Sequence, residues 1–214
     1  LDLSDWASES QPPSMRKSVV ESHEIPLPSL EIQRQIVAEI EGYQKVIDGA
    51  RQVLDSYRPH ISIEASWIKK RFGDVTSTVT PPSKIQTADF IQTGRYPVID
   101  QSQTEVAART DDASALVDGT PGLVIFGDHT CAVKFIREPF AQGADGIKII
   151  KTNELLLPKF AYFFLLCYPI QQDGYKRHFG KLSDSEIAFP DLETQRVIVA
   201  EIEAEQALVN ANRE

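Results

Sequence analysis

Cysteine is scarce in this chain. Cys131 and Cys167 are the two in 214 residues, with no CxxC pair and no histidine at metal-ligand spacing. A disulfide scaffold or a zinc finger is therefore excluded, no metal site is expected, and free thiols in a reducing cytoplasm are the expectation. Long apolar runs are also missing: the longest, residues 160–168, has nine residues, against the roughly 20 that a helix needs to span a bilayer. The opening stretch LDLSDWASES has neither a basic nor an apolar segment, so no secretory signal is visible in it. Sequence motifs of the common enzymes are absent too, with no GxGxxG, P-loop, GxSxG or HExxH. Pro81-Pro82 stands between Thr80 and Ser83 rather than before an aromatic, which makes it a turn and not the catalytic loop of an amino-methyltransferase. Asp128-His129 with Asp145 lacks the further carboxylate and lysine that a nuclease site needs, and Asp and His are common hairpin residues. His60 has no spaced partner either.

What is present is a repeat. Residues 24–52, EIPLPSLEIQRQIVAEIEGYQKVIDGARQ, and residues 186–214, EIAFPDLETQRVIVAEIEAEQALVNANRE, agree at 15 of 29 positions at a constant offset of 162. Each copy runs through a proline (Pro28, Pro190) and a cap-type residue (Ser29, Asp191) into a helical pattern. In the first copy Ile36, Ile40, Tyr43, Ile47, Ala50 and Leu54 recur at alternating steps of 4 and 3, the period of a coiled-coil seam. A lone helix of this length is marginal in water, so that stripe calls for a partner helix. The second copy offers Ile198, Ile202 and Val209 at matching places, but Glu205 and Asn212 replace Tyr43 and Ala50, so its seam is weaker. No stop signal precedes Glu214, so this second helix is expected to belong to a longer one. Gly42 and Gly49 either allow close backbone approach or only weaken the first helix.

Between the copies the sequence changes character. Residues 1–23 read as a linker or the end of an upstream domain, and 24–58 as a conserved coiled-coil helix that stops before Pro59. Residues 59–185 read as a globular domain, and 186–214 as the start of the second conserved helix. Strands are expected at 96–99 and 147–150, a hairpin with a four-residue turn over 122–136, and a buried helix over 159–168. With 42% hydrophobic residues, the chain can bury one substantial core. The fold class expected is α+β: one mixed α/β domain flanked by two long helices that form an antiparallel coiled coil.

The net charge of −9 argues at first against nucleic acid, but its distribution does not. Residues 1–57 carry 10 acids and 5 bases and residues 186–214 carry 7 and 2, whereas 58–185 carry 14 and 15. A near-neutral domain can bind DNA when its bases cluster on one face. The run Tyr175-Lys176-Arg177-His178-Phe179-Gly180-Lys181 interleaves bases and aromatics, so Lys176, Arg177, His178 and Lys181 are candidate phosphate contacts, the alternative being a solvated loop. Gln101, Ser102, Gln103 and Thr104 follow a strand and carry groups suited to base edges. Lys84, Gln86, Arg95 and Arg109 could extend such a surface.

The repeated phrase Ile-Pro-Leu-Pro-Ser-Leu-Glu-Ile-Gln-Arg-Gln-Ile-Val, followed by its degenerate copy after a domain of some 130 residues, resembles the conserved regions of type I restriction-modification specificity (S) subunits. Trp67, Phe72-Gly73-Asp74-Val75, Tyr96-Pro97-Val98 and Val124-Ile125-Phe126-Gly127 look like parts of that family's target recognition domain. The resemblance implies a non-catalytic chain that reads double-stranded DNA and docks methyltransferase subunits through its helices. Through the assembled complex it would meet a restriction subunit, and the partners would bind S-adenosylmethionine, ATP and Mg. It also implies helices that act as a spacer between two recognition domains. This sequence holds one complete domain of that kind, so a half-subunit that pairs with a second copy fits as well as the distal half of a full subunit. Two other readings stay open: the recognition end of a fused single-chain methyltransferase or restriction enzyme, and a non-DNA enzyme or scaffolding domain that oligomerises by coiled coil.

Overall fold

The computed structural model of the chain describes residues 26–144 and 146–212, together with Lys17, Glu21 and Glu24. The linker expected over residues 1–23 thus lies outside the described residues apart from Lys17 and Glu21, and so does Asp145. The chain divides into two units, Leu1–Val53 and Leu54–Glu214.

Most of helix α1, Leu30–Ser56, belongs to the first unit, and its last three residues belong to the second. Ser29 starts it: its carbonyl accepts the Gln33 N–H at 2.9 Å and its hydroxyl the Ile32 N–H at 3.4 Å. Along the helix the Tyr43 hydroxyl donates to Glu39 and the Gln44 amide to Asp48, pairs four residues apart on one face. No residue of α1 is buried. The seam positions Ile36, Ile40, Tyr43 and Ile47 are 46–61% exposed, and a Cβ on Gly42 or Gly49 would meet nothing within 4 Å. The apolar stripe that the sequence calls for is present and bare.

The second unit is built on two four-stranded sheets and a two-stranded ribbon. One sheet is β2 (Thr76–Val79), β9 (Ile147–Thr152), β6 (Leu123–Gly127) and β7 (Val133–Ile136), in that order and antiparallel throughout. The other is β4 (Ala108–Thr110), β3 (Tyr96–Ile99), β8 (Phe140–Gln142) and β5 (Leu116–Val117), with β3 and β8 parallel. The ribbon pairs β1 (Ile68–Arg71) with β10 (Glu186–Phe189), so the start of the second repeat closes onto the start of the domain.

Period-2 alternation explains why all five residues of β6 are buried. Val124 and Phe126 face a cluster built on helix α2, Pro158–Cys167, with Phe72, Phe160, Phe163, Leu182 and Phe189. Leu123 and Ile125, with Ile149 of the neighbouring β9, face the other sheet and pack on its Ile99, Val117 and Phe140 in a second cluster. Each fully buried phenylalanine contributes about 1.5–3 kcal/mol by leaving water, so these two clusters outweigh any surface contact in holding the strands.

Helix α3, Phe179–Asp184, is short, and α4, Leu192–Ala211, is the helix of the second repeat. Asp191 caps α4 by accepting the N–H groups of Glu193 and Thr194. Ile202 is buried in the α2 cluster, with Ile198 and Val199 packed against it, and Lys159 of α2 pairs with Glu203. The expected pairing seam is corrected here: Ile198 and Ile202 are spent on the chain's own domain, because α4 lies along α2. Val209 is half-buried beside Tyr57 and Tyr162. The Tyr57 hydroxyl donates to Glu205 at 2.9 Å, and burial followed by this bond pushes its pKa up to about 12. The large apolar residues that α4 leaves exposed are Val197 and Leu208, at 49% and 67%.

The hairpin also departs from expectation. Its return strand begins at Val133 rather than 131, because Cys131 adopts φ 53°, a left-handed conformation that cannot extend a strand. The turn is one residue longer for it.

Candidate nucleic-acid interface

The turn between β6 and β7 organises the candidate surface. It is closed by the Cys131 N–H on the Gly127 carbonyl and the Gly127 N–H on the Ala132 carbonyl, both at 2.8 Å. Two segments far apart in sequence dock on it.

The first is 100–104. Thr130 Oγ1 donates to the Gln101 carbonyl at 2.6 Å, and Lys134 Nζ donates to the Asp100 carbonyl at 2.7 Å with the Asp100 carboxylate at 3.7 Å. Burial pushes the Lys134 pKa down while Asp100 opposes the shift. Asp100 Oδ1 in turn accepts the Ser102 N–H and hydroxyl, and Ser102 Oγ lies 2.8 Å from Thr104 Oγ1. These bonds occupy the hydroxyls of Ser102 and Thr104. Gln103 is exposed and has no hydrogen-bond partner among the described residues. The Gln101 carboxamide lies over Gly146, where φ is +109° and a Cβ would fall 2.6 Å from it, so only glycine fits.

The second segment is the basic run. Gln172 Nε2 donates to the His129 carbonyl at 2.9 Å, and Tyr175, 83% exposed, stacks on His129 with ring centroids 4.6 Å apart and planes 12° apart. Lys176 pairs with Asp173, whose carboxyl its ammonium holds below the ordinary range. Lys181 Nζ donates to the Gln171 carbonyl. His178 does not join these exposed groups. It is 1% exposed, Nδ1 lies 3.1 Å from the Asp128 carbonyl, and Nε2 accepts the Asp173 N–H at 2.9 Å. With both ring nitrogens engaged indoors, the expected phosphate contact at His178 is corrected to an internal one.

Beside the turn opens a polar cleft of about 250 Å³ lined by Lys84, Asp128, His129, Gln142, Gly146, Ile147, Lys148 and Arg177. The fold assembles its three bases from three places. Lys84 is brought in by the Ile85 N–H on the Gln142 carbonyl, Lys148 by strand β9, and Arg177 by the second docked segment. Lys148 also lies over the Phe179 ring at 5.5 Å. Sequence reasoning passed over Lys148, although its place between Ile147 and Ile149 signals a strand residue facing away from the core. Two buried polar atoms at this place, Gln101 Oε1 and His129 Nδ1, have no partner among the described residues.

The remaining candidates lie elsewhere. Arg109 Nη1 donates to the Gly94 carbonyl and Arg95 covers the Tyr96 ring at 5.9 Å, both at the β3–β4 edge. Gln86 is exposed at the start of a short 3-10 turn. Among the described residues no group of three His, Cys, Asp or Glu could hold a metal, and no helix is long and apolar enough to cross a membrane.

No protein-family model matches the chain, and no curated protein does. Solved structures do. The HsdS subunit of Thermoanaerobacter tengcongensis is 20% identical with a TM-score of 0.54, covering 99% of this chain and 59% of that one. The type I restriction-modification S subunit of M. genitalium is 13% identical with a TM-score of 0.55, covering 97% and 64%. A chain from a structural study of assembly and conformational transition in the type I R-M system is 19% identical with a TM-score of 0.55, covering 87% and 54%. The chain shares the mixed α and β fold of these three structures and spans less than two thirds of the length of each.

Proposed function

We propose that this chain is the DNA-recognition portion of a type I restriction-modification specificity subunit, non-catalytic in itself. The observation that carries the reading is the convergence of Lys84, Lys148 and Arg177 on one polar cleft in a chain whose net charge is −9. In an acidic protein, bases gathered from three separate segments suit a partner with closely spaced phosphates. The neighbouring loop, where Gln103 is exposed and has no hydrogen-bond partner among the described residues, would offer an amide to base edges while the cleft holds the backbone. The bare apolar stripe on α1 is the docking or pairing surface, for methyltransferase subunits or for a second copy. S-adenosylmethionine, ATP and Mg then belong to the methyltransferase and restriction subunits, and the assembly works in the cytoplasm.

The test is the salt dependence of binding to a short random-sequence duplex, read by fluorescence anisotropy. Lys148→Ala and Arg177→Ala should each weaken binding and lower the slope of log K against log salt by about 1. Unchanged slopes in both would remove the cleft from the interface.

A further inference from the structure

The basic run is held by an internal clasp. Asp128, 5% exposed on the β6–β7 turn, reaches across 50 residues. Its Oδ1 accepts the N–H of His178 at 3.0 Å and of Phe179 at 2.8 Å, and its carbonyl accepts the His178 N–H at 2.8 Å. The His178 ring answers from the other side. Because Nε2 accepts the Asp173 N–H, the ring proton sits on Nδ1, which donates to the Asp128 carbonyl. The imidazole thus closes the loop 173–178 on itself and, together with the N–H groups of His178 and Phe179, fastens it to the turn. Arg177, adjacent in the chain, lines the cleft.

We infer that His178 is a positioning residue for DNA contact: by bridging the Asp173 N–H and the Asp128 carbonyl, it sets where Arg177 meets the phosphate backbone. The inference rests on the DNA-recognition reading. A basic loop that is already ordered gives up little conformational freedom on binding, whereas a loose one must be ordered at that moment. Loss of the clasp therefore costs affinity by removing the contact of Arg177, with no charge removed from the protein.

Four variants of the full chain test this: the single variants His178→Ala, His178→Gln and Arg177→Ala, and the double variant His178→Ala/Arg177→Ala. The probe is the same random-sequence duplex, and exchange of the Asp173 amide is followed without DNA. His178→Ala should lower the salt slope by about 1, as Arg177→Ala does, and the double variant should bind no more weakly than the weaker single one. His178→Gln keeps the bulk and an acceptor at the position of Nε2, so it should recover most of the slope and of the Asp173 protection. Additive losses in the double variant, or a folded His178→Gln as impaired as His178→Ala, would overturn the inference while leaving the DNA reading in place. If the unmutated chain fails to bind the duplex at low salt, the DNA reading falls and this inference with it; protection of the Asp173 amide then reports only that the clasp exists.

Discussion

The two copies of the repeat share a sequence and not a setting. Gln33 and Gln195 occupy the same place, and each donates Nε2 to the carbonyl of the proline five residues before it, at 2.7 and 2.9 Å. Gln195 is fully buried and also donates to the Leu155 carbonyl while its Oε1 accepts the Leu157 N–H at 2.8 Å, which ties the entry of α2 to the entry of α4. The Gln33 side chain has the proline bond alone among the described residues and is half-buried. Ile40 is 59% exposed where Ile202 is 3% exposed. Pro26 stands where Ala188 pairs with Lys69 in the ribbon, and a proline has no N–H to give a ladder. The shared phrase therefore encodes a start and a helix; what the helix buries is decided by the domain beside it.

Three pairs of substitutions sharpen that contrast, all read by urea denaturation. Ile202→Ala should cost about 2–5 kcal/mol, as removal of a buried aliphatic side chain does, while Ile40→Ala should stay within about 0.5 kcal/mol in the isolated chain. Equal effects would mean that α1 is covered in solution. Gln195→Ala leaves a part-buried N–H and two carbonyls without this partner and should cost about 2 kcal/mol, against under about 1 kcal/mol for Gln33→Ala. The smallest difference is in the caps. The N–H of Thr194, then its hydroxyl, hold the Asp191 carboxyl below the ordinary range. The charged form is thus favoured by folding, and its stabilisation is present above about pH 4, the ordinary aspartate value, and lost as pH falls through the depressed one. Asp191→Asn should therefore destabilise at neutral pH and converge on the unmutated chain in acid, a convergence that Ser29→Ala should not show.

Much of this was legible before the structure. The repeat, helix α1, the buried α2 and strands β3, β6 and β9 follow from periodicity, because each buries a regular pattern or, in α1, displays one. The β1–β10 ribbon was not legible, since all four residues of β1 are exposed and its pairing joins residues more than a hundred positions apart. At the candidate site, composition located the basic run but could not tell Arg177, which lines the cleft, from His178, which is buried next to it. That distinction depends on Asp128, a residue read from sequence as ordinary turn chemistry. Lys84 and Arg177 were singled out separately, and only the Ile85–Gln142 bond and the docking of residues 171–181 on the β6–β7 turn bring them to one cleft with Lys148 of β9.

On the proposed function, DNA meets the cleft and the segments docked on the β6–β7 turn rather than the helices. Hydrogen exchange of the chain with and without a duplex, resolved by peptide, tests it most directly. Slowed exchange over residues 100–104, 127–132 and 171–181, with α1 unchanged, is the predicted result. Protection of α1 with those three segments unaltered would contradict it.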